Sequence, residues 1–192
     1  MAIEKFTTRA LVLNQYTSGE NDGVLKVFTE EFGVIFVVAK SLKKKDGKLK
    51  AHVRKYHFAN LTLVKGKEVW RLTGASELAM LVLNLENADR KSLIPEISKL
   101  IDRLYHGSEK HGELFHRVFS LIHIHDQDSN NLRRSIYLSC LIELGYIDLS
   151  CLDIASIEEF RMKSDEDLLI ACNINQATIN SQIRRALRES ML

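Results

Sequence analysis

The chain has 192 residues, 45% of them hydrophobic, enough to bury a sizeable core in one domain or two small ones, which excludes a disordered chain. Its 27 Lys and Arg stand against 25 Asp and Glu, a formal charge of only +2, so any affinity for a polyanion must come from how charge is distributed. The opening Met1-Ala2-Ile3-Glu4-Lys5 lacks the basic and apolar regions of a signal peptide, and no apolar run approaches the about 18 residues of a membrane span, so a cytoplasmic location with no membrane partner is expected. Cys140, Cys151 and Cys172 are too few and too irregularly spaced for a disulfide framework, which suits a reducing compartment.

The first 75 or so residues alternate extended and turn signals. Ala10-Leu11-Val12-Leu13 predicts a strand, and the small and polar residues from Thr17 to Gly23 a turn. Val24 to Thr29 is a second strand, and Glu31-Phe32-Gly33 reverses the chain into Val34-Ile35-Phe36-Val37-Val38-Ala39, a β-branched run too short for an ordinary helix. After a lysine-rich segment, Tyr56 to Val64 and Val69 to Leu72 flank Lys65-Gly66-Lys67, the signature of a hairpin. Five short strands left as an open sheet would expose two edges and an apolar face, so a closed barrel is expected, either an OB-fold or an SH3-like barrel.

From Glu77 onward the hydrophobic period changes from two to about 3.6. Leu93, Ile94, Ile97, Leu100, Ile101 and Leu104 form one stripe, with Ser92 as the expected N-cap and Pro95 in the first turn. Leu114, Phe115, Val118, Phe119 and Ile122 form a second stripe; Leu132, Ile136, Cys140, Leu141 and Leu144 form a third, stopped by Gly145. An irregular stretch to about Ser164 precedes a short helix near Asp165 to Ala171 and a final one from Asn175 to about Arg188. The expected class is α+β: a five-stranded barrel over residues 1–76, then an all-helical domain over 77–192 packed closely against it.

Charge is concentrated in one place. Lys40, Lys43, Lys44, Lys45, Lys48, Lys50, Arg54 and Lys55 are opposed only by Asp46, which makes +7 across 16 residues and leaves the remainder near −5. A lysine-dense loop between barrel strands can neutralise phosphates and release counterions independently of base sequence; a merely solvated loop is the competing reading. The aromatics Phe36, Tyr56, Phe58 and Trp70 lie in or beside the strands, where OB-folds stack bases, and Phe36 and Tyr56 are the candidate platforms.

Histidines 106, 111, 116, 123 and 125 invite a metal reading. His123 and His125 are two apart, however, and so diverge on a helix; no CxxC accompanies them, and no metal or other cofactor is expected. The chain has no nucleophile elbow, Walker loop or dinucleotide motif, and Cys140 sits on an apolar stripe, so no catalytic residue and no small-molecule substrate are assigned. The expectation is a binding protein rather than an enzyme.

Val27-Phe28-Thr29-Glu30-Glu31-Phe32-Gly33 followed by Val37-Val38-Ala39-Lys40 resembles the RecO family pattern of a strand ending in F-T-E-x-x-G and an apolar strand ending in V-A-K-G. Leu141-Ile142-Glu143-Leu144-Gly145-Tyr146 is similar to the family's L-x-x-L-G-Y, and Ala10-Leu11-Val12-Leu13 falls in the right order before both. The resemblance implies an OB-fold, and a DNA repair and recombination mediator that binds single- and double-stranded DNA, anneals complementary strands and helps load RecA together with RecR onto DNA coated by single-strand binding protein. It further implies that Lys40 and the basic loop face DNA, and that Arg133, with Arg134 beside it, meets the acidic, phenylalanine-ended tail of single-strand binding protein. Two departures stand out: Ser41 replaces the family glycine after the lysine, and the four-cysteine zinc site of many members is missing along with part of the C-terminal region. A protein-only adaptor, whose barrel docks a partner and whose lysines merely solubilise, is the alternative.

Overall fold

The computed structural model describes residues 4–40, 42, 49, 51–67, 69–78, 88–107, 109–124 and 128–190. Five strands come first: β1 (Lys5–Ser18), β2 (Asp22–Thr29), β3 (Gly33–Ala39), β4 (Phe58–Lys65) and β5 (Trp70–Glu77). They close into a barrel in the order β1-β2-β3-β5-β4. β1 pairs antiparallel with both β2 and β4, and the barrel closes through a parallel contact of β3 with β5 at Val37↔Trp70 and Val38↔Arg71. This five-stranded, crossed-over closure is the OB-fold arrangement, which decides between the two barrels that the strand count allowed.

β1 runs for 14 residues, well past its four-residue apolar run. Its first half pairs with β4 and its second with β2, and an irregularity between Val12 and Asn14 lets the strand bend from one partner to the other. The expected turn from Thr17 therefore shrinks to residues 19–21, because Asn14 to Ser18 continue the ladder opposite Asp22 to Lys26. Ala10, Val12, Leu25, Val27, Ile35 and Val37 fill the barrel. Leu11, Leu13, Phe28, Val34 and Phe58, which alternate with them, face outward and are buried all the same, since the helices cover that side.

Among the described residues six α-helices follow: α1 (Ala88–Leu104), α2 (Gly112–His123), α3 (Ser129–Glu143), α4 (Ile157–Met162), α5 (Asp165–Ile174) and α6 (Gln176–Glu189). The expected start of α1 needs correction. The helix begins at Ala88, so Ser92 is inside it and Pro95 lies in its interior rather than in its first turn. The polar residues before Leu93 carry no apolar period that could have marked the extra turn. Leu93, Ile97 and Ile101 hold α1 in the core despite the backbone hydrogen bond that proline removes.

α3 ends as Gly145 predicts. Gly145 has φ 74, its N–H donates to the Ile142 carbonyl at 2.9 Å, and the Tyr146 N–H donates to the Leu141 carbonyl at 2.9 Å, the paired bonds of a Schellman stop. The L-x-x-L-G-Y match is thus a helix terminator. α4 and a 3₁₀ turn at Leu149–Leu152 organise the stretch that periodicity left irregular.

Barrel and helices share one core, with Phe28 and Phe58 of the barrel in ring contact with Phe115 of α2. The F-T-E-x-x-G turn is a docking element. Thr29 Oγ1 accepts from the Phe32 N–H and donates to the Gly33 carbonyl, each at 2.9 Å; Gly33 takes φ 65 against the Glu109 backbone, and the Val34 N–H donates to the Gly107 carbonyl at 3.2 Å. No helix among the described residues is long and apolar enough to cross a membrane.

Candidate nucleic-acid interface

Alternation along β3 turns Val37 into the barrel and Phe36 out of it, and Phe36 is 53% exposed. On β1, two strands away, Tyr16 is 43% exposed, and the two rings lie 6.3 Å apart at 40°. Between them on β2 stands Lys26, opposite Phe36 in the ladder. Its ammonium lies 2.7 Å from Asp102 Oδ1, 3.0 Å from the Asp102 carbonyl of α1 and 5.9 Å from the Phe36 ring centre. Lys26 is 8% exposed, so it backs the aromatic pair and ties the face to α1 rather than reaching solvent. Large apolar rings exposed on a strand cost hydration, and two side by side offer π-faces on which unpaired bases can stack.

Lys40 is exposed at the end of β3, and Arg54 and Lys55 are exposed before β4. Lys43, Lys44, Lys45, Lys48 and Lys50 lie outside the described residues. Of the described residues around them, Leu42 and Val53 are buried in the barrel core and Leu49 packs against it. The basic run begins at Lys40, four residues beyond Phe36 and directly after β3. Tyr56 differs from its expected role as a free platform in its surroundings. It is half-buried with φ 67, its N–H donates to the Val12 carbonyl at 2.8 Å, it packs against the helical core, and the Lys55 ammonium covers its ring at 4.8 Å. Phe58 is buried and Trp70 half-buried in a cluster with Phe6 and Phe32.

Tyr16 and Lys26 escaped the sequence reading. Tyr16 sits in a polar stretch that reads as the approach to a turn, and a lysine in an alternating strand reads as solvated. Neither has a local signal, since each role depends on a neighbour brought in by the barrel or by α1.

The two arginines on α3 have opposite environments. Arg133 is half-buried and paired with Glu96 of α1, its Nε 2.9 and 3.0 Å from the two carboxylate oxygens, while Tyr137 donates to the same carboxylate at 3.0 Å. Arg134 is 8% exposed, and its acceptors among the described residues are all neutral: Asn180 Oδ1 at 3.1 Å, Asn131 Oδ1 at 2.9 Å, the Cys172 carbonyl at 3.3 Å and Gln176 Oε1 at 3.4 Å. Both border a cavity of about 390 Å³ whose walls include Tyr137, Gln176, Asn180 and Ile183. A guanidinium buried without a carboxylate keeps an uncompensated charge, which a ligand anion would satisfy.

Among the described residues no group of three His, Cys, Asp or Glu could hold a metal ion; His125 lies outside them. Cys140 is fully buried, and burial pushes its thiol up to about 12, so it is a packing residue rather than a nucleophile.

Residues 1–80 match the family described as Recombination protein O N terminal. The DNA repair protein RecO of Clostridium acetobutylicum is 28% identical over 144 residues, 73% of this chain and 58% of that protein. The proteins of the same name from Dehalococcoides mccartyi and Desulfitobacterium hafniense are 32% identical over 73 residues (38% of this chain, 29% of that protein) and 27% identical over 138 residues (71% and 50%). The chain spans at most 58% of the length of these relatives. The matched N-terminal segment coincides with the OB-fold barrel, the turn and strand that resembled the family lie within it, and the alignments run on into the helices: the barrel is similar to the N-terminal domain of the RecO family.

Proposed function

We propose that the protein acts in DNA repair and recombination by binding single- and double-stranded DNA without sequence preference on its barrel, annealing complementary strands and helping to load RecA with RecR onto DNA coated by single-strand binding protein. The observation that carries this reading is the exposed Tyr16–Phe36 pair across β1 and β3, with β3 leading directly into the basic run from Lys40 to Lys55. Lysines hold phosphates while the rings take bases, and nothing in that pairing reads base identity. Neutralising the phosphates of two strands on one surface lowers their mutual repulsion, which is what annealing requires. The names of the relatives support the repair role. No bond need be made or broken, so no residue is given a catalytic role.

The α3–α6 cavity is proposed as the receptor for the acidic tail of single-strand binding protein, with Arg134 taking the terminal carboxylate and Tyr137 and Ile183 the aromatic ring. Arg133, held by Glu96, braces the rim.

Fluorescence anisotropy of labelled single-stranded DNA across a salt series tests the barrel site. With about 5 phosphates contacted, log K should fall with log salt at a slope near −3.5. Lys43→Glu, Lys44→Glu, Lys45→Glu combined should flatten that slope and abolish binding at moderate salt, and Phe36→Ala should cost about 1–3 kcal/mol with the slope unchanged. Weak, salt-insensitive binding that is alike in all three proteins would favour the adaptor reading instead.

A further inference from the structure

We infer that two copies of the chain pair edge to edge along the second half of β1 and so hold two DNA strands antiparallel for annealing. The contact stands on the strand edge itself; its use in annealing rests on the proposed reading of the Tyr16–Phe36 face. On one side β1 pairs with β4 only as far as Leu11. The Tyr56–His57 backbone takes over at Val12, whose N–H donates to the His57 carbonyl at 2.9 Å and whose carbonyl accepts from the Tyr56 N–H at 2.8 Å. Beyond the irregularity between Val12 and Asn14, the strand runs on to Ser18 with β2 on one side and, among the described residues, no strand on the other. The Gln15 N–H turns to that open side, where only its neighbour's side-chain oxygen, Asn14 Oδ1, meets it at 2.9 Å, and alternation turns the Thr17 N–H and carbonyl the same way. Exposed edges are normally defended by charge or proline, yet Asn14 to Ser18 hold neither, and Gln15 to Ser18 are all exposed.

The edge fits a second copy of itself. With Gln15 opposite Thr17 of the second copy, and Thr17 opposite its Gln15, both pairs exchange their backbone hydrogen bonds about a two-fold axis. Tyr16 then faces Tyr16 of the second copy as the close central pair, about 4.5 Å apart at the Cα atoms. Each tyrosine already lies 6.3 Å from its own Phe36, so the rings form one row, Phe36–Tyr16–Tyr16–Phe36, on a shared face. The same register carries the exposed Glu20 of one copy to the level of Val12 in the other, beside the exposed Arg54 and Lys55 that precede the Tyr56–Val12 bond. That match of charge favours a second copy over a foreign strand, which would satisfy the backbone alone. A two-fold axis normal to a sheet reverses every direction within it, so equivalent DNA paths over the two copies run antiparallel, the polarity that complementary strands require. So short an edge buries far less than the about 1,000 Å² of a stable interface, and the two lysine runs repel until phosphates neutralise them; the pair therefore forms on DNA.

The test uses the full chain with single-stranded oligonucleotides. Tyr16→Cys, treated with diamide while bound to DNA, should give a disulfide dimer above the wild-type background. Ser18→Cys, equally exposed but distant from its own mate in this register, should not. Annealing of complementary labelled strands, measured with all DNA protein-bound, gives the second readout. Gln15→Glu with Thr17→Glu sets like charges opposite each other at both pairs and should slow annealing about tenfold. Gln15→Lys with Thr17→Lys should slow it as well, although its added charge favours DNA, and Gln15→Lys with Thr17→Glu, which sets opposite charges face to face, should restore the wild-type rate. Equal cross-linking at the two cysteine positions, or annealing that follows net charge alone, overturns the pairing while DNA binding by wild type keeps the reading of the face intact. If wild type binds no single-stranded DNA, that reading fails and the strand alignment with it.

Discussion

Near the end of α3 the helix runs out of backbone donors, and side chains and the following loop supply them. Leu141 and Ile142 are served by the Tyr146 and Gly145 N–H groups, and the Cys140 carbonyl accepts from the Tyr105 hydroxyl at 2.7 Å. Tyr105 follows α1 directly, is 1% exposed, and packs on Phe28 of the barrel and His111 before α2. Burial drives its phenol far above its ordinary value, so it stays neutral and can donate. One tyrosine therefore links the end of α1 to the end of α3 through its hydroxyl and to the outer face of the barrel through its ring. Tyr105→Phe keeps the ring and removes only the donor, so the loss should be about 1–3 kcal/mol, the cost of a buried bond whose acceptor is left unpaired. Urea unfolding should show a lower midpoint at unchanged slope, and a midpoint within error of wild type would mean that water replaces the hydroxyl.

At the scale of elements, the β2–β3 turn explains why its residue types recur where they do. Thr29 closes the turn, Gly33 supplies a left-handed φ, and the missing side chain at Gly33 lets the turn sit on the segment before α2: a Cβ there would lie 2.0 Å from the Glu109 carbonyl oxygen. Gly19, in the β1–β2 turn, has φ 64, and a Cβ there would meet nothing within 4 Å, which makes it the natural control. Gly19→Ala should cost about 1–2 kcal/mol, the left-handed penalty alone. Gly33→Ala adds the clash and should cost about 3–5 kcal/mol in the same assay, because the backbone it meets cannot rotate away as a side chain could. Equal costs at the two positions would show that the turn lifts off α2 freely. The sequence makes this turn legible as a chain reversal and as a family motif, yet not as a docking surface, since Glu109 is far away in the chain. The same limit applies to α1, whose first turn is polar, and to α3. The apolar stripe of α3 omits Arg134, and yet α5 and α6 bury that side too, through Cys172, Gln176 and Asn180. Periodicity locates one buried face of a helix; a helix packed on several sides needs the tertiary partners.

Across the whole molecule, the seam between barrel and helices is fastened by charge as well as by the shared core. Arg9 of β1 meets Glu30 of the turn in a two-point contact at 2.7 and 2.9 Å, and its guanidinium lies 5.2 Å from the Phe119 ring of α2. An arginine can only donate, so His116 Nδ1, 3.0 Å from Arg9 Nη2, accepts, and its Nε2–H then faces Glu30 Oε1 at 2.9 Å. Strand, turn and helix thus close a ring of three side chains.

That ring predicts how the fold responds to acid. The hydrogen bond from Arg9 is the main cause that holds the Glu30 carboxyl below its ordinary 4.5; the charges of Arg9 and Lys110 add to it, and burial opposes it. A carboxyl whose folded pKa is depressed stabilises the fold fully above its unfolded pKa, since the unfolded chain takes up the proton first, and the contribution is lost as pH falls through the folded value. Wild type should therefore lose stability steeply as pH drops below about 4.5, and Glu30→Gln should remove that part of the slope while costing about 1–3 kcal/mol at neutral pH. Above the carboxylate range the two proteins should differ by a constant amount. Unfolding midpoints measured from pH 7 down to pH 3 would test this: parallel curves throughout would mean that Glu30 titrates as freely in the folded protein as in the unfolded chain, and that the apolar contacts of Phe28 and Phe58 with Phe115 hold barrel and helices together unaided.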